Sequence, residues 1–243
     1  MEILKDIYYT NKSVVSRAFE LLRKNWYVSF IGVIYGIIMM VGMMLGFIPI
    51  LGGILIWIVM SAIVASYLGI LNGIIYSEKV GKYDIKSGLS TYIWKVYGLF
   101  FIFWFASYGM NLFLSPILKI NIGGFYVMQW VTMFAFIVLN PLPEVMYQKN
   151  MDALGSFTYS MEFIKENWIE WFVPNSILLG CLYILNGDLS FLSLTIFSSK
   201  MFSIPYILKQ FLIFFIMIYR GLLFDGLSTS SRRKRMFKRN MYK

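Results

Sequence analysis

The chain has 243 residues, no histidine and a single cysteine, Cys181. One cysteine rules out a disulfide within the chain. Zinc and haem sites are built largely from thiolate and imidazole, so neither is expected. Serine–histidine and cysteine–histidine hydrolysis lack their base and are excluded within this chain. No Gly-x-x-x-x-Gly-Lys-Ser/Thr stretch is present, so energy from ATP would have to come through a partner chain. The sixteen methionines are not grouped with cysteine or histidine, as metal carriage would require. No catalytic residue, metal or cofactor is therefore expected, and the chain is not read as an enzyme. Charge is also scarce, at 14% of residues, where an ordinary soluble domain has about 25%.

What is plentiful is apolar surface: 59% of residues are hydrophobic and 19% aromatic. Much of it lies in runs near the roughly 20 residues that cross a hydrocarbon core. Six spans are expected, at about 28–47, 53–76, 96–115, 124–142, 170–186 and 206–225. Pro49, Gly52 and Gly53 reverse the chain after the first. The second carries Ser61, Ser66, Gly69, Asn72 and Gly73, which suit close helix contacts. The third stops near Pro116. The fourth ends at Asn140-Pro141-Leu142-Pro143-Glu144, where two prolines must break or bend the helix. Residues 187–205 are too polar for an ordinary span; they read as a surface-lying or re-entrant segment, or as a loop with a short helix.

One stretch occurs twice. Residues 16–26 read SRAFELLRKNW, and 142 positions later residues 158–168 read TYSMEFIKENW. Val15, Phe19, Leu22 and Trp26 match Phe157, Met161, Ile164 and Trp168, at spacings that put each set on one helical face. Both copies read as interfacial amphipathic helices leading into a span. Residues 77–95 form a third lead-in, with a stripe of Leu89, Tyr92, Ile93 and Val96 ending at Trp94-Lys95. Trp26, Trp94 and Trp168 fall where interfacial anchors are expected. The resulting divisions are residues 1–147, with the first lead-in and spans one to four; residues 148–230, with the second lead-in and spans five and six; and a basic tail, 231–243. The fold class is all-α transmembrane: six helices in two parallel three-helix repeats, each opened by a cytoplasmic amphipathic helix.

Eighteen of the 22 Lys and Arg fall in the N-terminal segment, the 77–95 and 148–168 loops and the tail. The bias toward these segments puts both termini in the cytoplasm. In the tail, Arg232, Arg233, Lys234, Arg235, Lys238 and Arg239 suit anionic membrane lipid or an acidic partner. No aromatic interleaving accompanies them, so nucleic acid is not the expected partner.

The candidate ligand or ion residues are Asn140, Pro141, Pro143, Glu144, Arg220 and Asp225. A proline-broken helix frees backbone carbonyls, and a carboxylate beside them can hold a cation. The plainer reading is a helix end with a solvated Glu144. Arg220 and Asp225 sit in the last span, where charge often marks function; the plainer reading has both reach the cytoplasmic interface. Glu162, Glu166 and Glu170 recur every fourth residue and read as a solvated face.

The doubled Asn-Trp lead-in, the Phe47-Ile48-Pro49-Ile50-Leu51-Gly52 reversal, Tyr67-Leu68-Gly69 before a basic loop, and Pro143-Glu144 before Met151-Asp152-Ala153-Leu154-Gly155-Ser156 together resemble a group of bacterial six-span proteins. That group is similar to the membrane domain fused to some glycerophosphodiester phosphodiesterases. The resemblance implies the architecture only, since the phosphodiesterase domain itself is absent. A second likeness is to the permease subunits of export-type ABC transporters, in which 77–95 would meet an ATPase. These likenesses imply a transport or permease-type component for an amphiphilic substrate, working with a separate ATPase or other membrane subunit. The alternative is a non-catalytic scaffold, accessory or immunity-type membrane protein that binds lipid or a partner chain.

Overall fold

The computed structural model describes residues 2–48, 51–186 and 204–230, with Lys234 and Phe237. Among the described residues the fold is all-α apart from one small hairpin. Helix α1 (Glu2–Lys24) is followed by a 3-10 turn at Trp26–Phe30 and by α2 (Ile31–Met44). A second 3-10 turn (Leu45–Phe47) begins the reversal into α3 (Leu51–Ser77), and α4 (Lys82–Leu118) runs back along α3. Strands β1 (Asn121–Ile122) and β2 (Phe125–Tyr126) then make an antiparallel hairpin. Gly123 and Gly124 at its tip have φ of +62° and +88°, the two positive angles that a two-residue turn of this twist requires. Helices α5 (Val127–Val138), α6 (Leu142–Gln148), α7 (Ala153–Asn186) and α8 (Ile204–Thr229) follow.

Among the described residues, five helical stretches are long and apolar enough to cross a membrane: Trp26–Phe47, Leu51–Ser77, Lys82–Leu118, Val127–Gln148 and Tyr206–Thr229. They cover five of the six expected spans. The other, 170–186, is the C-terminal half of α7 and is not among the five. Residues 187–203, most of the semi-polar segment, lie outside the described residues.

Small residues set the α3–α4 contact. A Cβ on Gly69 would fall 2.5 Å from the Gly88 Cα, and one on Gly88 would fall 2.9 Å from the Ala65 carbonyl, so the two backbones touch. Ser61 and Ser66 are buried in the same helix, and Asn72 crosses to α6. The lead-in at 77–95 differs from expectation: it is continuous with the third span, so α4 is a single helix of 37 residues. Gly81 and Asp84 start it, the Gly81 N–H donating to the Asp84 carboxylate at 2.7 Å. It also runs past Pro116 to Leu118. The expected stripe holds: Tyr92 and Val96 are buried, and Leu89 and Ile93 are half-buried.

The other two lead-ins do break, and both break at asparagine. Asn25 has φ −122° and ψ 27°; Asn167 has φ −124° and ψ 17°. Each side-chain amide donates back to the carbonyl four residues earlier, Asn25 to Leu21 at 3.0 Å and Asn167 to Phe163 at 3.2 Å. Burial follows the same register. Ala18, Leu21 and Ser29 are buried, as are Ser160, Phe163 and Trp171 at the positions 142 later. The face that meets protein overlaps the apolar stripe only in part: Ile164 is buried in the core and Leu22 packs against it. Val15, Phe19, Trp26 and Trp168 are exposed, which leaves them for lipid, while the adjacent face enters the core.

That core is shared between the expected divisions. Ala18 and Leu21 of α1, Ile70 and Ile74 of α3, Val145 and Tyr147 of α6, Trp171 of α7 and Phe224 of α8 belong to one buried cluster. α1 lies against α8, where the Tyr219 hydroxyl donates to the Asn11 side-chain oxygen and the Phe19 and Phe215 rings meet edge to face.

Candidate functional site

Two arrangements carry charge into this fold. The first is at the end of the bundle where α1 stops and α3 turns into α4. The Asn25 amide donates to the Glu78 carbonyl at 2.9 Å, and its oxygen accepts the Val80 N–H at 3.2 Å. Glu78 has φ +61°, a left-handed conformation that costs an ordinary L-residue about 1–2 kcal/mol. Its carboxylate accepts from Lys24 at 2.7 Å and from Arg17, and Glu20 pairs with the same two cations. Hydrogen bonds from Lys24 and Arg17 hold both carboxyls below their ordinary range. The same end gathers Asn150, bound by Lys95 at 2.6 Å, and the end of α8, where Leu227 and Ser228 face Lys165 and Asn167.

The second arrangement is inside the bundle, where α5 breaks. Pro141 and Pro143 have no N–H, so the carbonyls of Ile137 and Leu139 lose their usual partners. They accept instead from Asn140 at 3.4 Å and Leu142 at 3.0 Å in a tightened turn. The chain then re-enters as α6, seven residues of which Leu142, Glu144, Val145, Met146 and Tyr147 are buried. Glu144 has no exposed surface. It faces Arg220 of α8, whose Nε donates to Oε1 at 2.7 Å and whose Nη2 donates to Oε2 at 3.0 Å. Nη2 also donates to the Asn140 carbonyl at 2.7 Å.

Trp171 completes the surroundings of this pair. Its indole lies 5.1 Å from the Arg220 Cζ, over the guanidinium, and its Nε1 donates to the Asn140 side-chain oxygen at 2.8 Å. Phe163 stands edge-on to the same indole at 5.3 Å. Behind Glu144, the Tyr147 carbonyl accepts from Asn72 at 2.7 Å and Tyr92 at 3.3 Å, and the Gln148 amide donates to the Gly221 carbonyl at 2.8 Å. Three helices thus meet at the ion pair, α6, α7 and α8, while α3 and α4 hold the Tyr147 carbonyl three residues further along α6.

Asn140, Pro141, Pro143, Glu144 and Arg220, all expected as candidates, are brought together. The plainer readings of Glu144 as solvated and Arg220 as reaching the interface do not hold, because each satisfies the other inside the protein. Asp225 is not part of the group: it is half-buried five residues further on, and its carbonyl accepts from Ser228 and Thr229. Trp26, Trp94 and Trp168 are exposed at the surface, as anchors must be. Lys234 is exposed; Arg232, Arg233, Arg235, Lys238 and Arg239 lie outside the described residues. Sequence reasoning missed Trp171, Tyr147, Gln148, Asn72 and Tyr92 as parts of the site. The doubled segment held a signal for one of them, since Trp171 is the counterpart of the buried Ser29.

A cleft of about 570 Å³ opens beside the ion pair, between α4, α5, α6, α7 and α8. Its walls are mainly apolar, with Phe103, Phe136, Leu179, Leu182 and Ile213 among them. The polar residues that line it are Thr132, Asn140 and Arg220, and no carboxylate does so among the described residues. Nor, among those residues, do three or more Cys, Asp or Glu side chains converge as metal ligands would.

The fold and this site define a multi-pass, all-α membrane protein with an ion pair buried among its helices and an apolar cleft beside it. No protein-family model, curated protein or solved structure matches the chain.

Proposed function

We propose that the chain is a transport or permease-type component of a bacterial cytoplasmic membrane, that its substrate is an amphiphile, and that it has no ATPase of its own. The observation that carries this reading is the cleft: apolar walls, with a guanidinium and an amide at one place in its lining. Sites for small ligands have about this size, 300–1,000 Å³, and this mixture of surfaces. The rival is a scaffold, accessory or immunity-type protein that holds lipid or a partner chain without moving it. What favours the rival is the tight core around Trp171, Tyr147 and Phe224.

With the C-terminal half of α7 counted as a span, the chain crosses six times and both termini share one side. The basic loops and the end of α8 then belong to the cytoplasmic face, where cationic segments are retained. The two Asn-kinked lead-ins, at α1 and at the start of α7, support a parallel internal repeat. The likeness to the membrane domain of glycerophosphodiester phosphodiesterases is kept as a proposal about architecture. A separate ATPase or other membrane subunit supplies the energy for transport. The α3–α4 turn, where such a partner was expected, is already held by Asn25, Arg17 and Lys24 of the same chain, so the exposed face of α4 over 82–95 would have to make the contact.

The test is purification of the full chain from its native membrane into nanodiscs, followed by mass spectrometry of everything retained. An amphiphile kept by the wild type and lost on Leu179→Trp, which fills the cleft, is the expected result. A stoichiometric ATPase would identify the energy source. A bare chain, with neither, would sink the transport reading and leave the scaffold.

A further inference from the structure

We propose that the cleft selects an amphiphile with an anionic head group, a carboxylate or a phosphate, bound by Nη1 of Arg220 and Nδ2 of Asn140. This rests on the amphiphile reading above and adds the sign and chemistry of the head.

The inference comes from counting donors. A guanidinium has five N–H groups and stays charged. Nε uses one on Glu144; Nη2 uses one on Glu144 and one on the Asn140 carbonyl. The two on Nη1 have no acceptor among the described residues. The Asn140 side chain is in the same position. Its oxygen faces the Trp171 N–H, which turns the NH2 group the other way, and that group also has no acceptor among the described residues. Neither nitrogen is sealed inside the protein: among the described residues, neither belongs to the fully buried side-chain polar atoms that lack a hydrogen bond. Arg220 and Asn140 both line the cleft. The wall therefore offers unused donors at one place and apolar surface elsewhere.

Charge placement points the same way. The ion pair is neutral overall, but it is not symmetric toward the cleft. Glu144 has no exposed surface and does not line the cleft, whereas Arg220 does. The cleft meets the positive end of the pair. An ammonium head would lie against a guanidinium with no carboxylate in reach. A carboxylate or phosphate would accept charge-assisted bonds of the stronger kind. Glu144, Trp171 and the Pro141–Pro143 break are positioning elements: they fix the guanidinium edge that Nη1 presents.

The experiment uses the full chain in nanodiscs, with four probes of one chain length: a fatty acid, a lysophosphatidic acid, a monoacylglycerol and an alkyltrimethylammonium. Native mass spectrometry reads the bound fraction of each. The expected result is at least a tenfold preference for the two acids over the neutral probe, with the ammonium weakest. The ratio of the two acids separates a free fatty acid from a phosphate-headed lipid as the source of the head group. The paired variant Arg220→Gln with Glu144→Gln, which strands no charge, should reduce that preference to about onefold while the neutral probe still binds. Ile213→Trp should abolish binding of all four.

Equal binding of acids and neutral probe by the wild type, with both lost on Ile213→Trp, would overturn the head-group proposal and leave the amphiphile cleft intact. Binding of all probes unaltered by Ile213→Trp would overturn the cleft reading itself. An acid preference that survives the paired variant would remove Arg220 from the site. The wild-type ranking decides the sign of the head even where the paired variant fails to fold.

Discussion

Replacing Arg220 by leucine is expected to destabilise the protein far more than replacing Arg220 and Glu144 together. The single change leaves the Glu144 carboxylate with no exposed surface and no cation. It also removes three charge-assisted hydrogen bonds of 2.7, 3.0 and 2.7 Å, a class worth roughly 1.5–3 kcal/mol each. Solvent cannot take up the orphaned charge, so the cost is set by stranding: about 3–5 kcal/mol when one partner of a buried pair is removed. For a chain of this size that is a fall in melting temperature of roughly 6–20 °C. Glu144→Leu alone should cost a similar amount, because it strands the guanidinium against Trp171. The double change to leucine removes both desolvated charges and should come out near wild type or within about 2 kcal/mol of it. Thermal unfolding in a fixed detergent, read by loss of the near-ultraviolet tryptophan signal, measures all four corners of the cycle. Two single effects that add to the double within about 0.5 kcal/mol, the ordinary limit for independent sites, would show that the pair is not coupled and would refute the reasoning.

Four further outcomes follow from other parts of the fold. Asn25→Ala strands the Glu78 carbonyl and the Val80 N–H and should cost about 1–3 kcal/mol. Asn167→Ala, which loses a bond to its own helix alone among the described residues, should cost less in the same melt. Gly88→Val should separate α3 from α4 and abolish a monodisperse peak in size-exclusion chromatography. Gly109→Val, with nothing within 4 Å of the added Cβ, should elute as wild type. The Glu78 and Glu20 carboxyls are depressed by Lys24 and Arg17, so their contribution is complete above the unfolded carboxylate value of about 4.3 and is lost as pH falls below it. Hydrogen exchange over residues 17–25, corrected for its intrinsic pH dependence, should rise at pH 3 and also in 0.5 M salt at pH 7. With Cys181 changed to serine, a cysteine placed at Gly123 should label from outside intact cells with an impermeant maleimide, and one at Lys79 should not.

The parts legible in the sequence are those written in local chemistry. Two prolines at 141 and 143 dictate a break whatever surrounds them. Glycines at 69 and 73 announce a close contact without naming its partner. The Arg220–Glu144 pair was not legible as a pair. The two residues are 76 positions apart, and each alone reads equally well as a solvated helix end. The lead-in faces misled for a different reason. An interfacial helix has one apolar side for lipid and another for protein, and hydropathy scores them alike, so Phe19 and Leu21 were separable only once α8 was in place. The continuity of α4 through Trp94-Lys95 is the converse case. That junction has no asparagine to bind its own helix backbone, and the expected break does not occur.

The contact between α1 and α8 bears on how the chain is made. Asn11 and Tyr219 are 208 residues apart, so α1 rests on a helix that leaves the ribosome long after it. Ala18 and Leu21 have no final neighbour until α8 is inserted, and contacts that close so long a loop are slow to form. A helix with two apolar sides can wait at the lipid surface during that interval without aggregating. Truncating the chain before α8 should therefore yield a protein that still inserts, with α1 left on the membrane and open to protease.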